Sequence, residues 1–377
     1  MAFTVDDQRH MARAIQLAWQ GLYTTSPNPR VGCVLVKDGV VVGEGFHLRA
    51  GEGHAEVNAL AAAGEQARGA TAYVTLEPCS HYGRTPPCAE GLIKAGVARV
   101  VAGMVDPNPQ VAGRGMTMLT DVGIEAEAGL LEAQARELNP GFIKRMEQGL
   151  PFVTVKSAIS LDGRTAMQSG ESQWITGPQA RQQVQRLRAR SCAVVTGVES
   201  ILHDDSALTV RENQLGLDNA AEIVKRQPLR VVLDSQLRMP TSAKILTQPG
   251  RTLVAYCNDP QQRAEQLQNA GAELIQLPAH NDRIDLAALL RYLADQQQCN
   301  EVLVETGATL AGAFIEQQLV DRIELFMAMK LLGSDARPLF ELPFTQMAQQ
   351  IPLALQQSRQ VGNDLWLTLQ PQYQESH

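Results

Sequence analysis

The sequence has few aromatic residues and no excess of positive charge. Phe, Trp and Tyr make up 5% of the 377 residues, and 33 Lys and Arg stand against 40 Asp and Glu, for a formal net charge of −7. Proteins that hold nucleic acid usually carry a basic face, and those that stack bases need aromatic platforms. We therefore expect no nucleic-acid partner.

Long apolar runs are also scarce. No run approaches the length that crosses a bilayer, and the opening MAFTVDDQRHMARA is charged too early for a secretory core. Six cysteines in a chain of this length, without such a signal, are not expected to form disulfides. We expect a cytoplasmic protein with no membrane partner. Four of the cysteines are expected to be small core residues: Cys33, Cys192, Cys257 and Cys299.

The length suits two domains, each able to bury its own core. Gln148-Gly149-Leu150-Pro151 is the predicted boundary, because Gly ends helices and Pro begins new segments, so the domains are 1–149 and 150–377. In the first, a helix over 6–20 capped by Asp6 or Asp7, a hairpin across Lys37-Asp38-Gly39 and a last helix LEAQARELNPGFIKRMEQG predict a three-layer α/β/α sandwich.

One stretch, from His54 to Cys88, carries the clearest chemistry. It opens with His54-Ala55-Glu56 at the start of a predicted helix, and Cys79 and Cys88 follow, with Pro87 as the expected first residue of a second helix. One imidazole and two thiolates are good zinc ligands, and they leave a fourth position for water. Glu56 is then the natural proton carrier. This H-x-E and P-C pattern is typical of zinc-dependent nucleobase deaminases, except that eight residues separate the two cysteines instead of two.

Two alternatives to a catalytic zinc remain. The ion could be structural and closed by a fourth ligand from His81, His47 or Cys33, or these residues could bind no metal. In the structural alternative Glu56 has no role.

Two proline-stiffened loops are candidate binding elements. Asn28 lies between two prolines that hold its amide in place, although Asn in such a turn is often only turn chemistry. Asp106-Pro107-Asn108-Pro109 follows a predicted strand, where ligands of α/β sheets collect.

The second domain lacks the Gly-x-Gly-x-x-Gly that marks an ordinary dinucleotide fold. EVLVETGATLAGAFIEQQ nevertheless predicts a strand, a Gly-containing turn and a helix from near Thr309, whose first amides could cradle a phosphate. Arg186, Arg188 and Arg190 form either a solvated helix face or a site for a phosphorylated substrate.

The motifs PNPRVGCVLV, HAEVNAL, TLEPCSHYGRTPPC and DPNPQVAGRG closely resemble those of the bifunctional deaminase/reductase family of riboflavin biosynthesis, and the resemblance covers nearly the whole chain. It implies a cytidine-deaminase-like α/β/α sandwich followed by a dihydrofolate-reductase-like α/β domain. It also implies zinc on His54, Cys79 and Cys88, with Glu56 as proton donor. The implied deaminase substrate contacts are Asn28, His47, His81, Asp106 and Asn108.

For the second domain, the resemblance implies NADPH as cofactor and a phosphorylated pyrimidine as substrate. Lys156 and Asp204 are the candidates for groups near hydride transfer. The implied NADPH contacts are Ala158, Trp174, Ser200, Asp204, Ser235, Gly307, Ala308, Thr309, Leu310, Ala311, Gly312 and Ala313. The implied substrate contacts are Ser172, Arg188, Leu208, Arg211 and Glu305.

By resemblance, zinc-activated hydroxide deaminates 2,5-diamino-6-(5-phosphoribosylamino)pyrimidin-4-one, and NADPH then reduces the ribosyl group of the product to ribityl. A homo-oligomer, dimer or tetramer, is expected. A nucleoside or tRNA-editing zinc deaminase with an accessory α/β domain is the competing function, and NADPH binding discriminates between them. A zinc-stabilised scaffold without activity is the non-enzymatic alternative.

Overall fold

A computed structural model describes residues 3–82, 86–109 and 111–373 of the chain. It divides into two compact units, Met1–Leu150 and Pro151–His377, here called the N-terminal and C-terminal units.

The N-terminal unit alternates helices with short strands. Its helices are α1 (Val5–Trp19), α2 (Ala55–Ala63), α3 (Cys88–Ala95), α4 (Arg114–Thr120), α5 (Glu132–Leu138) and α6 (Pro140–Gln148). Its strands are β1 (Gly32–Lys37), β2 (Val40–Phe46), β3 (Thr71–Val74), β4 (Arg99–Ala102) and β5 (Glu125–Ala128).

The five strands form one sheet in the order β2-β1-β3-β4-β5, with β1 antiparallel to both neighbours and the rest parallel. Alternate residues of β1 point to opposite faces. Cys33 and Leu35 join a core with α2 and α3, whereas Val34 and Val36 pack with α1. This arrangement is the predicted α/β/α sandwich.

Three local predictions in this unit were wrong. Thr4 rather than Asp6 or Asp7 caps α1, since Asp7 occupies the third helical position and closes a capping box with Thr4. Pro87 is the cap of α3 rather than its first residue. The single helix expected over residues 131–149 is broken at Asn139, because Pro140 disfavours helical backbone at the residue before it.

The C-terminal unit is larger and its helices are mostly short. They are α7 (Pro178–Arg190), α8 (Val198–Asp204), α9 (Ala220–Ile223), α10 (Lys244–Thr247), α11 (Ala264–Asn269), α12 (Leu286–Asp295) and α13 (Ala308–Glu316). Its strands are β6 (Phe152–Ser160), β7 (Arg164–Ala166), β8 (Ala193–Gly197), β9 (Leu229–Leu233), β10 (Thr252–Tyr256), β11 (Glu273–Gln276), β12 (Ala279–His280), β13 (Arg283–Ile284), β14 (Glu301–Val304), β15 (Arg322–Ala328), β16 (Arg337–Pro338), β17 (Leu353–Val361) and β18 (Asp364–Pro371).

Nine of these strands form a sheet in the order β11-β10-β9-β8-β14-β6-β15-β18-β17. The seven strands from β11 to β15 are parallel to one another, and the closing hairpin β17–β18 adds antiparallel pairs at one edge. The strand and helix predicted over EVLVETGATLAGAFIEQQ are confirmed as β14 and α13. The parallel part matters for function, because the carboxyl ends of its strands meet along one edge.

No helix among residues 3–82, 86–109 and 111–373 is long and apolar enough to cross a membrane.

Candidate active sites

The helix that carries His54 and Glu56 lies very close to the sheet. His54 is the N-cap of α2, and Glu56 is in its first turn. A Cβ at Gly45 of β2 would lie 2.5 Å from the Ala55 carbonyl oxygen, so only glycine allows this approach. The sequence therefore brings the start of α2 onto the sheet and buries Glu56 to 4% exposure.

His54, Cys79 and Cys88 come together as a potential metal site, with donor atoms all within 4.8 Å of one another. The His54 Nδ1 atom lies 3.2 Å from the Cys88 Sγ atom and 3.7 Å from the Cys79 Sγ atom. Zinc bond lengths of about 2.0–2.1 Å to nitrogen and about 2.3 Å to sulfur give a nitrogen–sulfur separation of about 3.5 Å in a tetrahedron. The donor set and its spacing therefore fit zinc.

The three residues form the whole of this group within the described part of the chain. Cys33 is fully buried in β1, and His81 is exposed. None of the fourth ligands considered from the sequence joins the cluster, which fits an ion with one position left for a substrate or water better than a closed structural site.

Proton affinities at the cluster depart from their ordinary values. The hydrogen bond from the Cys88 thiol lowers the pKa of Cys79 to about 4, and the hydrogen bond to Cys79 raises the pKa of His54. Burial, followed by the nearby Cys79 charge, raises the pKa of Glu56 to about 7. Glu56 also lies within hydrogen-bonding reach of the Cys88 side chain. A carboxyl that gains and loses a proton near neutrality suits general acid–base catalysis.

Asn28 and His47 form a hydrogen-bonded pair beside the cluster. The His47 ring lies edge-on to the His54 ring, with centroids 5.1 Å apart. Its Nδ1 atom is 3.0 Å from the Gly53 carbonyl oxygen, so Nδ1 carries a proton, and its Nε2 atom accepts from the Asn28 amide nitrogen at 3.0 Å. His47 therefore orients the Asn28 amide, which leaves the Asn28 oxygen for a ligand.

Asp106 lies near the same cluster, and Asn108 follows it in the same loop. The Asp106 carboxyl is buried, which raises its pKa to about 6, and the charges of His81 and Cys79 also act on it. Asp106 Oδ1 accepts the Asn108 backbone N–H at 2.8 Å. The structure thus places the loop predicted to bind substrate next to the candidate metal ligands.

Glu77, to which we assigned no role from the sequence, lies beneath this loop. It is 3% exposed, and its two carboxylate oxygens accept four backbone N–H groups, from Asp106, Gly113, Gly115 and Met116. The available signal was an acidic residue at the end of an apolar strand, two positions before a metal ligand.

In the C-terminal unit, Lys156, Arg188 and Glu305 meet in a half-buried cluster. Arg188 donates from Nε and Nη2 to both Glu305 oxygens, at 2.8 and 2.7 Å, and the Lys156 Nζ atom is 3.7 Å from Glu305 Oε1. Burial raises the pKa of Glu305, but Arg188 and Lys156 outweigh it and lower that pKa to about 2. Burial lowers the pKa of Lys156. The three arginines of α7 are not a solvated face, since Arg186 and Arg190 are also half-buried and hydrogen-bonded.

The other residues expected to contact the reductase substrate differ in their exposure and in their links to this cluster. Arg188 also donates to the Thr209 carbonyl at 3.2 Å, which ties it to the segment that holds Leu208 and Arg211. Leu208 is buried with a left-handed backbone (φ 51°), and Arg211 is exposed. Ser172 is half-buried in the loop that carries Trp174.

The expected NADPH residues lie along the carboxyl ends of four adjacent parallel strands. Ser235 follows β9, Ser200 lies in the helix after β8, Gly307 caps the helix after β14, and Ala158 is in the second half of β6. Around Gly307 an added Cβ would meet nothing within 4 Å, so the start of α13 is open. Open backbone amides at a helix start fit a nucleotide phosphate. Residues 308–313 form the first two turns of that helix.

Two of the residues expected to contact NADPH are exposed to solvent. Asp204 is exposed at the end of α8, and no ion pair joins it to Lys156 within residues 111–373. Trp174 is 62% exposed, with the Arg181 guanidinium 4.5 Å from its ring centroid. We missed Lys330, whose Nζ donates to the carbonyls of Trp174 and Ile175 and so holds this loop.

Two family models match the chain. The RibD C-terminal domain matches residues 151–367, and the cytidine and deoxycytidylate deaminase zinc-binding region matches residues 4–104. The riboflavin biosynthesis protein RibD of Escherichia coli strain K12 is 51% identical over 369 residues, which covers 97% of this chain and 99% of that protein.

Solved structures agree with this similarity. Acinetobacter baumannii RibD, form 1, is 49% identical, with a TM-score of 0.90 over 98% of this chain and 99% of that one. A Thermotoga maritima diaminohydroxyphosphoribosylaminopyrimidine deaminase/5-amino-6-(5-phosphoribosylamino)uracil reductase is 30% identical, with a TM-score of 0.84 over 97% and 99% of the two chains.

Proposed function

The chain belongs to the RibD family of bifunctional riboflavin-biosynthesis enzymes, and from this premise we propose how its two units divide the chemistry. The protein is a zinc-dependent deaminase and an NADPH-dependent reductase. It deaminates 2,5-diamino-6-(5-phosphoribosylamino)pyrimidin-4-one and then reduces the ribosyl group of the product to ribityl. Residues 1–149 carry out the first step in our proposal, and residues 150–377 the second.

In the deaminase site, His54, Cys79 and Cys88 hold the zinc. When bound, zinc supplies a Lewis acid that lets water lose a proton near neutral pH. Glu56 takes that proton and delivers it to the ring nitrogen. It then takes the second proton, from the hydroxyl group formed on the ring carbon, and delivers it to the departing ammonia as the carbonyl forms. Its burial and its pKa of about 7 support this role, because the same carboxyl must accept and release a proton at one pH.

The pyrimidine and its phosphoribosyl group are held by Asn28, His47, His81, Asp106 and Asn108. The Asn28–His47 pair supports a division of labour, since His47 uses both ring nitrogens on protein partners and fixes the direction of the Asn28 amide. The Asn28 oxygen then accepts from a donor on the ring edge, and the side chains of the 106–108 loop contact the rest of the substrate.

In the reductase site, NADPH supplies the hydride, and the protein supplies its position. The proposed cofactor contacts run along the carboxyl ends of β9, β8, β14 and β6, with the phosphates at the open start of α13. Asp204 and Ser200 of α8 lie on the same edge of the sheet and contact the cofactor.

Lys156 is the proposed proton donor for the reduced sugar. Its pKa is lowered by burial, and Glu305 keeps it in place, so a proton is available beside the accepting oxygen. Arg188, held by Glu305 on one side, positions the 208–211 segment and the substrate on the other.

We further propose that the enzyme works in the cytoplasm as a homo-oligomer, with small molecules as its only ligands and no nucleic acid or membrane partner. An RNA-editing deaminase is not favoured, because the reductase domain has no function in that reaction.

The observation that carries the proposal is the three-donor cluster with the buried Glu56 beside it. Incubating the purified full-length enzyme with the diaminopyrimidine phosphate tests it. We expect the aminouracil product without NADPH and the ribityl product with NADPH, each identified by mass. Unchanged substrate in both reactions would contradict the proposal.

A further inference from the structure

We infer that Glu77 is a positioning residue for deamination, and that its carboxylate holds the substrate loop of residues 106–108 at a fixed distance from the metal ligand Cys79. This inference rests on the proposed deaminase function. Glu77 itself touches neither the substrate nor the zinc in this assignment.

The Glu77 carboxylate accepts four backbone hydrogen bonds. Glu77 Oε2 accepts from the backbone N–H groups of Asp106 at 3.1 Å and Gly113 at 2.9 Å. Glu77 Oε1 accepts from Gly115 at 2.9 Å and Met116 at 3.4 Å. Asp106 and Gly113 lie between β4 and α4, and Gly115 and Met116 lie in the first turn of α4. One buried side chain therefore satisfies both the loop and the start of the helix after it.

The chain connects Glu77 directly to the candidate metal ligands. Glu77 follows β3, and its own backbone N–H donates to the Met104 carbonyl at 2.9 Å. Two residues later, the Cys79 carbonyl accepts the Ala89 N–H and the Cys79 Sγ atom accepts the Cys88 N–H. A rigid segment of three residues therefore links the four amides to two of the metal ligands.

Gly115 packs closely against the segment that carries Glu77. A Cβ at Gly115 would lie 2.0 Å from the Pro78 carbonyl oxygen and 3.2 Å from Glu77 Oε1. A larger residue would push the start of α4 away from the 77–79 segment. Gly115 therefore permits the approach, and Glu77 fixes it.

Glu77 supports the turn of the substrate loop at residues 106–108. Asp106 donates its N–H to Glu77, and its carboxyl accepts the Asn108 N–H. The turn that presents these two side chains is therefore built on the Glu77 carboxylate. Loss of this anchor frees the substrate contacts while His54, Cys79, Cys88 and Glu56 keep their own partners.

Glu77→Gln tests the inference in the zinc-loaded full-length enzyme. The amide replaces one acceptor oxygen by a donor, so two of the four N–H groups lose their partner in either orientation. We expect the KM for the diaminopyrimidine phosphate to rise about tenfold with kcat changed less than about threefold, because the lost contacts act on ground state and transition state alike. Zinc content and reductase activity stay at wild-type values.

A second variant and a measurement independent of activity sharpen the test. Gly115→Ala leaves the carboxylate intact and displaces α4, and we expect the same rise in KM. Hydrogen exchange measured over residues 104–118 should show faster exchange of the amides of Asp106, Gly113, Gly115 and Met116 in Glu77→Gln.

Asp7→Asn is the matched control. Asp7 is another buried carboxylate of the same unit that accepts from Thr4, Tyr73 and Arg99, away from the metal cluster. The Asp7→Asn substitution should lower the Tm and leave the deaminase KM within about twofold of the wild-type value, since Asp7 holds α1 and not the substrate loop.

Three results would overturn the inference. These are a KM within about twofold of wild type in Glu77→Gln, unchanged exchange over 104–118, or loss of zinc, which would make Glu77 a support for the metal ligand instead. A wild-type enzyme without deaminase activity would instead refute the proposed function, and the exchange measurement would still report on the anchor.

Discussion

The two candidate active sites differ in how they hold charged side chains away from solvent. In the C-terminal unit, Arg188 and Lys156 lie against Glu305, and the pKa of Glu305 falls to about 2. In the N-terminal unit, burial raises the pKa of Glu56 to about 7. One site holds its charges in permanent ion pairs, and the other contains a carboxyl that exchanges a proton near neutrality.

The difference follows from the two kinds of chemistry. A reductase takes its reactive group from the nicotinamide, so its side chains need a fixed geometry and fixed charge. A hydrolytic deaminase needs a metal to activate water and a carboxyl that exchanges protons near neutrality. We therefore expect the first site to depend on zinc and on one proton carrier, and the second to depend on an intact ion-pair cluster.

Loss of a metal ligand should give the largest effect. Cys88→Ser removes one of the two thiolates, and we expect zinc content to fall below about one tenth per chain and deamination to disappear, because serine is a poor zinc ligand. Elemental analysis and deaminase assays check this. Cys257→Ser, which alters a buried thiol of the other unit, is the control and should keep full zinc. A Cys88→Ser enzyme with stoichiometric zinc would refute the ligand set.

Removal of the proton carrier should have the next largest effect. Glu56→Gln should keep zinc and lose about 10²–10⁴-fold in deaminase kcat, the usual contribution of a general acid–base group. Reductase activity should be unchanged. Turnover within a few-fold of wild type would remove Glu56 from its role.

In the second site, Arg188→Ala should raise the KM for the reductase substrate at least about tenfold more than the KM for NADPH, since we propose that the arginine lies on the substrate side of the site. It should also destabilise the unit by about 1–3 kcal/mol, because Glu305 loses the partner that donates to both of its oxygens and keeps Lys156 at 3.7 Å. Arg186→Ala, two residues earlier in α7 and hydrogen-bonded to the carbonyls of Leu215 and Gly216, is the control. Equal effects on both KM values would contradict a substrate-side role.

The smallest effect concerns stability and pH. The pKa of Glu305 is lowered in the folded protein, so its stabilising effect is present above its ordinary pKa and is lost as the pH falls from about 5 to about 2. A shift of this size corresponds to about 3 kcal/mol. The Tm difference between wild type and Glu305→Gln should therefore narrow over this range. Glu273→Gln, in an exposed pair with Arg251, should differ little from wild type at any pH. A constant difference for Glu305→Gln would argue against the shift.

Much of the fold could be predicted because its signals are local. The strands β1 and β14 are short apolar runs. The alternation of helices and strands in the N-terminal unit predicts its sandwich. The break at Asn139 was missed because its cause is partly long-range: the Asn139 side chain exchanges hydrogen bonds with the backbone of Arg30. The Thr4 cap was missed because Asp7 also suits a helix start.

The candidate residues divide in the same way. His54, Glu56, Cys79 and Cys88 have a distinctive spacing, so the sequence pointed to them directly. Glu77 has no such spacing, and its four partners lie 29–39 residues away along the chain. Anchoring residues of this kind are recognised only once the fold brings their partners together.

Assaying one zinc-depleted preparation with two substrates would test the contrast between the sites most directly. We predict that the chelated full-length enzyme oxidises no NADPH when given the diaminopyrimidine phosphate, yet reduces the deaminated intermediate at the wild-type rate. Loss of both reactions, or retention of both, would contradict the account of one metal-dependent site and one permanently ion-paired site.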